Sequence, residues 1–399
     1  MCLLAGYAVS QAPVVSPATT HLPGPVPALY DDVISLRELR TDDVDAIIEH
    51  AGQPGMSRWA SVPQPFTRAD AEAYVATAVQ GRLDRTSFYF VIESRGRFAG
   101  LIDLRGQGTG LAEVGFSLMA WARGRGWVIR ALRLVIGWAF SPLGPTGRAQ
   151  IDVVQWRAEV GNWPSRRAAW AVGFQIDEAI PGLLENNGHR VDGWIAGLRR
   201  GDLLQPAHPW LRPERIIGQG VSLRGHRESD LPRMVEAYRD PASQRWLFRL
   251  PPDYTIKDAE EKLFRISAEQ AAGRAVYWAV TDPLDDRILA EVALGIRDQV
   301  ERQGEIGYWT HPDARGRGVM TEAVRLVVRH ALLPLEEGGL GLARILLRAE
   351  EGNLASQRVA EKTGFSWAGI DRWASRLPDG TMVNDIRFDL LADELPAVR

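Results

Sequence analysis

The sequence has almost no cysteine, since Cys2 is the only one in 399 residues. One thiol cannot form a disulfide within the chain or a cysteine-rich zinc cluster, and this usage favours a reducing, cytoplasmic location. The 7 histidines show no metal-ligand spacing, so we predict no metal site. No apolar run reaches the length of about 18 residues that a membrane-spanning helix needs, so we predict no membrane partner.

The chain also has little net charge, with a formal value of −3 at pH 7. A near-neutral balance gives no electrostatic attraction to nucleic acid or to an anionic membrane, so neither is an expected partner. Residues 1–30 contain five prolines and no lysine or arginine, which predicts a flexible, Pro-rich extension without the basic start of a secretory signal.

The length of 399 residues exceeds one ordinary hydrophobic core and predicts two domains. The sequence also repeats itself: the offset is 187 between Ser35 and Ser222 and 192 between Glu113 and Glu305. Six blocks recur in the same order: Ser35–Arg37 and Ser222–Arg224, Arg58–Trp59 and Arg245–Trp246, Asp70–Glu72 and Asp258–Glu260, Glu113–Phe116 and Glu305–Tyr308, Ala122–Gly126 and Ala314–Gly318, Arg157–Asn162 and Arg348–Asn353. Such a repeat indicates gene duplication.

Each copy predicts the order β-α-α-β-β-β-α-β-α-β-β, which is an α/β fold with a mixed sheet flanked by helices. We place the N-terminal domain at 31–200, a linker at 201–218 and the C-terminal domain at 219–399, because three prolines interrupt the linker. A duplicated chain can replace a homodimer by one pseudo-twofold molecule, so a monomer is expected and a homodimer is the alternative.

The segment from Glu305 to Leu332 is the most informative. A β-prone run ends at Thr310, and the loop Arg315–Gly318 then leads into a segment with helical spacing. Glycines allow close approach of the backbone to a ligand, and the helix N-terminus adds partial positive charge, so the loop suits a pyrophosphate or a similar anion. As a lone motif it could equally be an ordinary loop, but the first copy repeats it at Arg123–Gly126.

The block Glu305–Leu332, followed by Arg348–Phe365, resembles the GNAT family of acyl-CoA-dependent N-acetyltransferases. The branch that acetylates the N-termini of ribosomal proteins is the most similar, and the resemblance covers about residue 30 to the C-terminus as two copies. It implies acetyl-CoA as cosubstrate, with its pyrophosphate bound by the glycine loop. It also implies a splayed strand along whose free edge pantetheine lies.

The resemblance assigns roles to individual residues. The cofactor-binding residues in the second copy are Arg315, Gly316, Arg317, Gly318, Val319, Met320 and Asn353, and those in the first are Arg123, Gly124, Arg125, Gly126 and Asn162. The catalytic residues are Glu305, as acceptor of the amine proton, and Ser356, as proton donor to the departing thiolate.

Each role has a simpler alternative. Glu305 could face solvent or pair with an arginine, Ser356 could be a polar residue in a first helical turn, and the two asparagines could only cap helices.

Three of the positions at which the sequence departs from the family bear on the proposed sites. Ala360 stands where many members have a catalytic tyrosine, and Met320 and Val128 stand where the family prefers a small residue.

From the resemblance we expect the C-terminal copy to transfer an acetyl or related short acyl group to a primary amine, and the N-terminal copy to be a second site or a scaffold. The acceptor is a peptide N-terminus or a small-molecule amine such as an aminoglycoside-like antibiotic. The rival hypothesis is a non-catalytic acyl-CoA-sensing module.

Overall fold

The computed structural model describes residues 29–59, 62–63, 65–108, 110–141, 151–247 and 250–395. The predicted extension, 1–30, therefore lies almost wholly outside the described residues. Within the described ranges, no helix is long and apolar enough to span a membrane. The same residues contain no group of three or more His, Cys, Asp or Glu side chains placed to hold a metal ion.

The chain forms two compact units, Met1–Ala207 and His208–Arg399. The N-terminal unit has the strands β1 (Leu29–Tyr30), β2 (Ser35–Glu38), β3 (Ser87–Ser94), β4 (Arg97–Gly108), β5 (Leu111–Leu118), β6 (Val153–Glu159), β7 (Ile180–Asn186) and β8 (His189–Arg199). Its helices are α1 (Val44–Ala51), α2 (Met56–Trp59), α3 (Arg68–Leu83), α4 (Trp127–Ala139) and α5 (Trp163–Trp170). The sheet order is β1-β2-β3-β4-β5-β6-β8-β7, and within it only the β5–β6 pair is parallel.

The C-terminal unit repeats this plan. Its strands are β9 (Ile216–Gly218), β10 (Val221–Arg224), β11 (Ala275–Thr281), β12 (Ile288–Asp298), β13 (Gln303–Thr310), β14 (Arg344–Glu350), β15 (Ser366–Arg376) and β16 (Met382–Leu391). Its helices are α6 (Leu231–Arg239), α7 (Pro241–Trp246), α8 (Ile256–Ala271), α9 (Val319–Leu332) and α10 (Leu354–Lys362). The sheet order is β15-β16-β14-β13-β12-β11-β10-β9, with β13–β14 as its parallel pair.

The predicted mixed α/β sheet is confirmed in both units, with two additions at its edges. The short strand β1 begins inside the predicted extension, and β9 lies inside the segment 201–218 that was predicted as linker. The division between the units falls within that segment. Three-residue or shorter edge strands carry too few residues to show a period of two, so the sequence pattern does not reveal them.

Capping explains why the Thr-x-x-Asp spacing recurs in both copies. Thr67 is the N-cap of α3, and its backbone N–H donates to Asp70 Oδ2 at 2.8 Å while Asp70 N–H donates back to Thr67 Oγ1 at 3.3 Å. Thr255 and Asp258 form the same reciprocal pair at the start of α8. Each box satisfies backbone donors that a helix N-terminus otherwise leaves without a partner.

A buried ion pair explains the repeated Ser-Leu-Arg block. Arg224, the last residue of β10, donates from Nη1 and Nη2 to the two carboxylate oxygens of Asp230 at 2.8 Å each. The side chains of Arg224 and Asp230 are only 7% and 4% exposed. Arg37 and Asp43 form the equivalent bidentate pair in the first unit. The pair ties the sheet to the turn that starts the next helix.

We expect Arg224→Met to lower the free energy of unfolding of the C-terminal unit by about 3–5 kcal/mol, because it leaves the Asp230 carboxylate buried without its partner. Urea denaturation of the full chain measures this as a lower midpoint. Arg227→Met is the matched control: Arg227 pairs with Asp286 but its side chain is 53% exposed. That loss should stay below about 1 kcal/mol. Equal effects of the two substitutions would contradict a special role for the buried pair.

Candidate functional site

The central parallel strands of the C-terminal unit separate part-way along their length. β13 and β14 pair from Gln303 with Arg344 to Ile306 with Leu347, and no pairing follows. The remaining part of β13, from Gly307 to Thr310, therefore presents a free backbone edge on the side of β14. The splay implied by the family resemblance is thus present, and it opens the sheet from within.

A cavity of about 430 Å³ occupies this opening. Its walls come from the free edge of β13, the end of β14, and the helices α7, α9 and α10. Four of the residues predicted from the sequence line it: Arg315, Met320, Asn353 and Ser356. The predicted residues Glu305, Gly316, Arg317, Gly318 and Val319 are not part of its lining.

The glycine loop lies between β13 and α9, and its conformation explains the glycines. Gly316 has φ +73° and Gly318 has φ +79°, the left-handed region that a Cβ atom disfavours. A Cβ at either position would meet no atom within 4 Å, so conformation and not crowding demands glycine here. Gly318 is also the N-cap of α9, whose first-turn amides lack partners within the helix. The loop therefore presents backbone donors to open space.

The two arginines of the loop have different environments. Arg315 is held: its Nη2 donates to Asp240 Oδ2 at 2.6 Å and to Ser243 Oγ at 2.8 Å. This ties the loop to the start of α7. Arg317 is exposed and forms no ion pair or hydrogen bond with the residues that the structure describes. Arg317 is thus the loop cation that is available to a ligand.

Two hydroxyl groups meet at the cavity wall. Asn353 caps α10, because its Oδ1 accepts from the Ser356 N–H at 3.2 Å. The Ser356 Oγ lies 2.9 Å from the Tyr308 hydroxyl, and the two share a hydrogen bond. Burial raises the pKa of Tyr308 to about 12, although the bond to Ser356 opposes this increase. The capping role of Asn353 is therefore present, and it places Ser356 beside a hydroxyl group that stays protonated at neutral pH.

Glu305 has strong partners. Its carboxylate pairs with Arg297 on one side and with Arg348 Nε at 2.9 Å on the other, and its side chain is 18% exposed. The structure thus shows the arginine pairing that the sequence left open as an alternative. Its role as a base stays a prediction, but both of its carboxylate oxygens are occupied by guanidinium groups.

Sequence reasoning missed a second carboxyl group, Glu350, which lines the cavity at the end of β14. Burial raises its pKa, and the neighbouring Asp385 adds to the increase. A carboxylate with a raised pKa is a better base near neutral pH. The repeat offered a signal, because Glu350 and its counterpart Glu159 lie within the shared Arg-Ala-Glu block.

The first unit has the same glycine loop as the second, but the residues around its corresponding serine, Ser165, are different. Gly124 and Gly126 both have φ +74°, again with open space where a Cβ would be. Asn162 Oδ1 accepts from Ser165 N–H at 3.2 Å, as in the second copy.

The serine of the first unit, however, has a different partner. Ser165 Oγ accepts from Nε1 of the buried Trp156 at 3.1 Å. Phe116 stands at the position of Tyr308, and Trp156 at that of Leu347. The pair of hydroxyl groups is therefore absent from the described part of the first unit.

The other predicted residues of the first unit are also engaged. Arg123 Nε donates to the Leu118 carbonyl at 3.1 Å, and Arg125 Nε donates to the Trp121 carbonyl at 3.0 Å. Arg123 is thus anchored to the end of β5, and Arg125 to the turn that precedes the loop.

Comparison with known families decides what this architecture is. A model of the acetyltransferase (GNAT) domain matches residues 34–175 and again residues 221–366. The chain belongs to the GNAT family. The two matched ranges contain the parallel pairs β5–β6 and β13–β14 and the glycine loop of each unit.

Individual relatives cover one copy at a time. YdaF of Bacillus subtilis, named as a candidate ribosomal N-acetyltransferase, is 35% identical over 107 residues, which are 27% of this chain and 52% of that protein. YjcK of the same organism, a candidate N-acetyltransferase, is 32% identical over 136 residues, 34% of this chain and 72% of that protein. The chain thus spans only about half the length of the first of these relatives. Among solved structures, Mycobacterium smegmatis RimJ in complex with CoA-disulfide is 20% identical, with a TM-score of 0.42 over 47% of this chain and 92% of that chain.

Proposed function

We propose that the protein transfers an acetyl or related short acyl group from a CoA thioester to a primary amine, and that the C-terminal GNAT domain is the catalytic one. The observation that carries this proposal is the 430 Å³ cavity at the splayed strands. It adjoins the glycine loop at Arg315 and has Glu350 and Ser356 in its wall. The names of YdaF and YjcK support an amine as the acceptor.

The residues of the loop fit acetyl-CoA. Backbone amides at Gly316, Gly318 and the first turn of α9 would hold the pyrophosphate, and the exposed Arg317 would supply a countercharge. The free backbone edge from Gly307 to Thr310 would accept the pantetheine arm as an added strand. Bound acetyl-CoA supplies an acyl group that is already activated as a thioester.

We propose Glu350 as the group that accepts the proton of the substrate ammonium, because it lines the cavity and its pKa is raised. Glu305 then acts through Arg348, which also lines the cavity and to which it is paired. Ser356 remains the proposed proton donor to the departing thiolate, with the Tyr308 hydroxyl beside it to replace the proton. Most of the rate acceleration would come from holding amine and thioester together.

For the N-terminal GNAT domain we propose a non-catalytic role. Its serine is bonded to an indole N–H, and no hydroxyl group stands opposite it at Phe116. An indole N–H cannot restore a proton to the serine as a phenol can. The glycine loop at Gly124 and Gly126 is intact, so binding of CoA by this domain is compatible with the proposal.

Titration calorimetry with acetyl-CoA and an assay for free-thiol release over a panel of peptide and small-molecule amines test the function. We expect acetyl-CoA to bind and thiol to appear only when an amine is present. Binding without turnover on any amine would support an acyl-CoA-sensing module instead. A complete absence of binding would contradict both hypotheses.

A further inference from the structure

Two carboxyl groups stand side by side at the wall of the C-terminal cavity. Glu350, at the end of β14, pairs directly with Asp385 of β16 in the antiparallel register of the two strands. Directly opposed residues point their side chains to the same face of a sheet, with Cβ atoms about 4.5–5.5 Å apart. Asp385 is only 5% exposed and is not among the residues that line the cavity. It therefore lies next to Glu350 but outside the cavity lining.

Three neighbouring carboxylates on the same face of the sheet each have an arginine partner. The ion pairs are Glu305 with Arg348, Asp371 with Arg387, and Asp389 with Arg344. Neither Glu350 nor Asp385 forms an ion pair with any residue that the structure describes. The two carboxyl groups that directly oppose each other are thus the ones on this face without a cationic partner in the described part of the chain.

Asp385 is also only partly satisfied by hydrogen bonds. Its Oδ2 accepts from Ser375 Oγ at 3.0 Å, whereas its Oδ1 is buried and has no partner among the described residues. Buried polar atoms normally have partners, and like charges directly across a sheet are destabilising. The Glu350–Asp385 pair therefore lowers the stability of the fold. Perturbed ionisable groups of this kind cluster at functional sites, and this pair lies at the edge of the cavity.

The charges around Glu350 determine how readily it takes up a proton. Burial raises the pKa of Glu350 and the Asp385 charge raises it further, whereas a hydrogen bond from Asn353 and the charge of Arg348 lower it. Helices α7 and α10 line the cavity with uncharged side chains. The other charged groups nearby are paired with one another: Arg315 with Asp240, Arg387 with Asp371, and Glu305 with Arg297 and Arg348. Asp385 is thus the unpaired charge that faces Glu350 from the neighbouring strand.

The first copy has a different arrangement at the equivalent glutamate. Glu159 corresponds to Glu350, and the residue opposite it on β8 is Gly193, which has no side chain. The Glu159 Oε2 atom accepts instead from the side-chain amide of Asn186 at 2.7 Å. A hydrogen-bond donor favours the ionised form of a carboxyl group, whereas a like charge disfavours it. The like-charge pair therefore occurs in the copy that is proposed to be catalytic and not at the equivalent position of the other.

We propose that Asp385 is a positioning residue for the acyl transfer: its carboxylate acts through Glu350 and makes that group a stronger proton acceptor. The inference rests on the function proposed above, in which Glu350 accepts the proton of the substrate ammonium. The proton moves from the amine nitrogen to the Glu350 carboxylate, and Asp385 itself neither gives nor takes a proton. Its negative charge, held in place by Ser375, favours the protonated form of Glu350 that this step produces.

The pH profile of Asp385→Asn in the full chain tests this role. The amide has the size of the carboxylate and can still accept from Ser375, but it carries no charge. We expect the rise of kcat/KM with pH to move to lower pH by at least about half a pH unit, and kcat on the plateau to fall less than about tenfold. Asp389→Asn is the matched control, because Asp389 lies on the same strand and face but pairs with Arg344, and it should leave the profile unchanged.

A carbon-13 NMR titration of the glutamate carboxyl groups measures the same effect without turnover. The Glu350 resonance is the one missing from Glu350→Gln, and its midpoint should move to lower pH in Asp385→Asn but not in Asp389→Asn. Thermal unfolding shows whether each variant is folded, and Asp385→Ser, a smaller neutral replacement, should give the same shift.

The two readouts separate this inference from the proposed function. An unshifted Glu350 resonance in a folded, neutral variant at Asp385 would overturn the proposal. A shifted resonance with an unchanged rise in kcat/KM, or with no turnover on any amine, would support the effect of Asp385 on Glu350 and contradict the catalytic role proposed for Glu350.

Discussion

Gly316→Asp is expected to abolish acetyl-CoA binding at the C-terminal domain, with a loss in affinity of at least about 100-fold. Two effects combine. Gly316 has φ +73°, and a side chain in this left-handed region carries a steric penalty of about 1–2 kcal/mol. The new carboxylate would also stand beside the phosphates that the loop is proposed to hold, and like charges at close range repel strongly. Titration calorimetry with acetyl-CoA measures the loss directly.

The duplication supplies the control for this experiment. Gly124 occupies the same place in the first copy, with φ +74° and the same open space, so Gly124→Asp makes an identical chemical change at the other loop. It should leave the affinity of the C-terminal site unchanged. Gly316→Ala separates the two effects, because it adds the steric penalty without the charge and should weaken binding less than aspartate does. Normal affinity in Gly316→Asp would mean that the loop is not the phosphate site.

Glu350→Gln is expected to lower kcat by about 10²–10⁴-fold, the range typical for loss of a general base. The amide keeps the size of the side chain but cannot accept the proton of the substrate ammonium. Burial raises the pKa of Glu350 above its ordinary value of 4.5, and only the ionised form is a base. The wild-type kcat/KM should therefore rise with pH through this raised pKa. This rise in kcat/KM should be missing in Glu350→Gln, whose pH dependence should reflect only the titration of the substrate amine.

Glu305→Gln distinguishes the two candidate bases. If Glu305 acts only by orienting Arg348, its loss should reduce kcat less than about tenfold and leave the acidic limb of the pH profile in place. Glu159→Gln changes the counterpart of Glu350 in the first copy and should leave kcat unaltered if that copy is not catalytic. A large loss in Glu305→Gln with little effect of Glu350→Gln would restore the role that the sequence predicted for Glu305.

The two copies share a scaffold and differ in the side chains that face its openings. In the second copy, Trp309 and Tyr238 fill the space under the helices, while the splay between β13 and β14 is open and carries Ser356 with Tyr308. In the first copy, Ser117 leaves the space under the helices open, while Trp156 engages Ser165 beside the splay. The proposed function therefore assigns acyl transfer to the second unit alone.

The sequence by itself determined the fold class, the duplication and the glycine loop. These features depend on short-range patterns: the alternation in strands such as β3 and β11, the Thr-x-x-Asp caps, and glycines that a left-handed backbone requires at Gly316 and Gly318. Such requirements act on residues a few positions apart, so they can be read directly along the chain. The repeat strengthened each of these predictions, because the same sequence pattern appears in both copies.

Tertiary structure alone decided which side chains meet. The partners of Glu305, the pairing of Tyr308 with Ser356, and the position of Glu350 on the cavity wall join residues that lie far apart in the sequence. The open space beside Ser117 depends likewise on the register of β4 with β5 and on the helix that covers them. Burial, and hence the raised pKa of Glu350, is a property of everything packed around a group. These distances cannot be read from the order of residues along the chain, because they arise only when the sheet and its helices bring distant segments together.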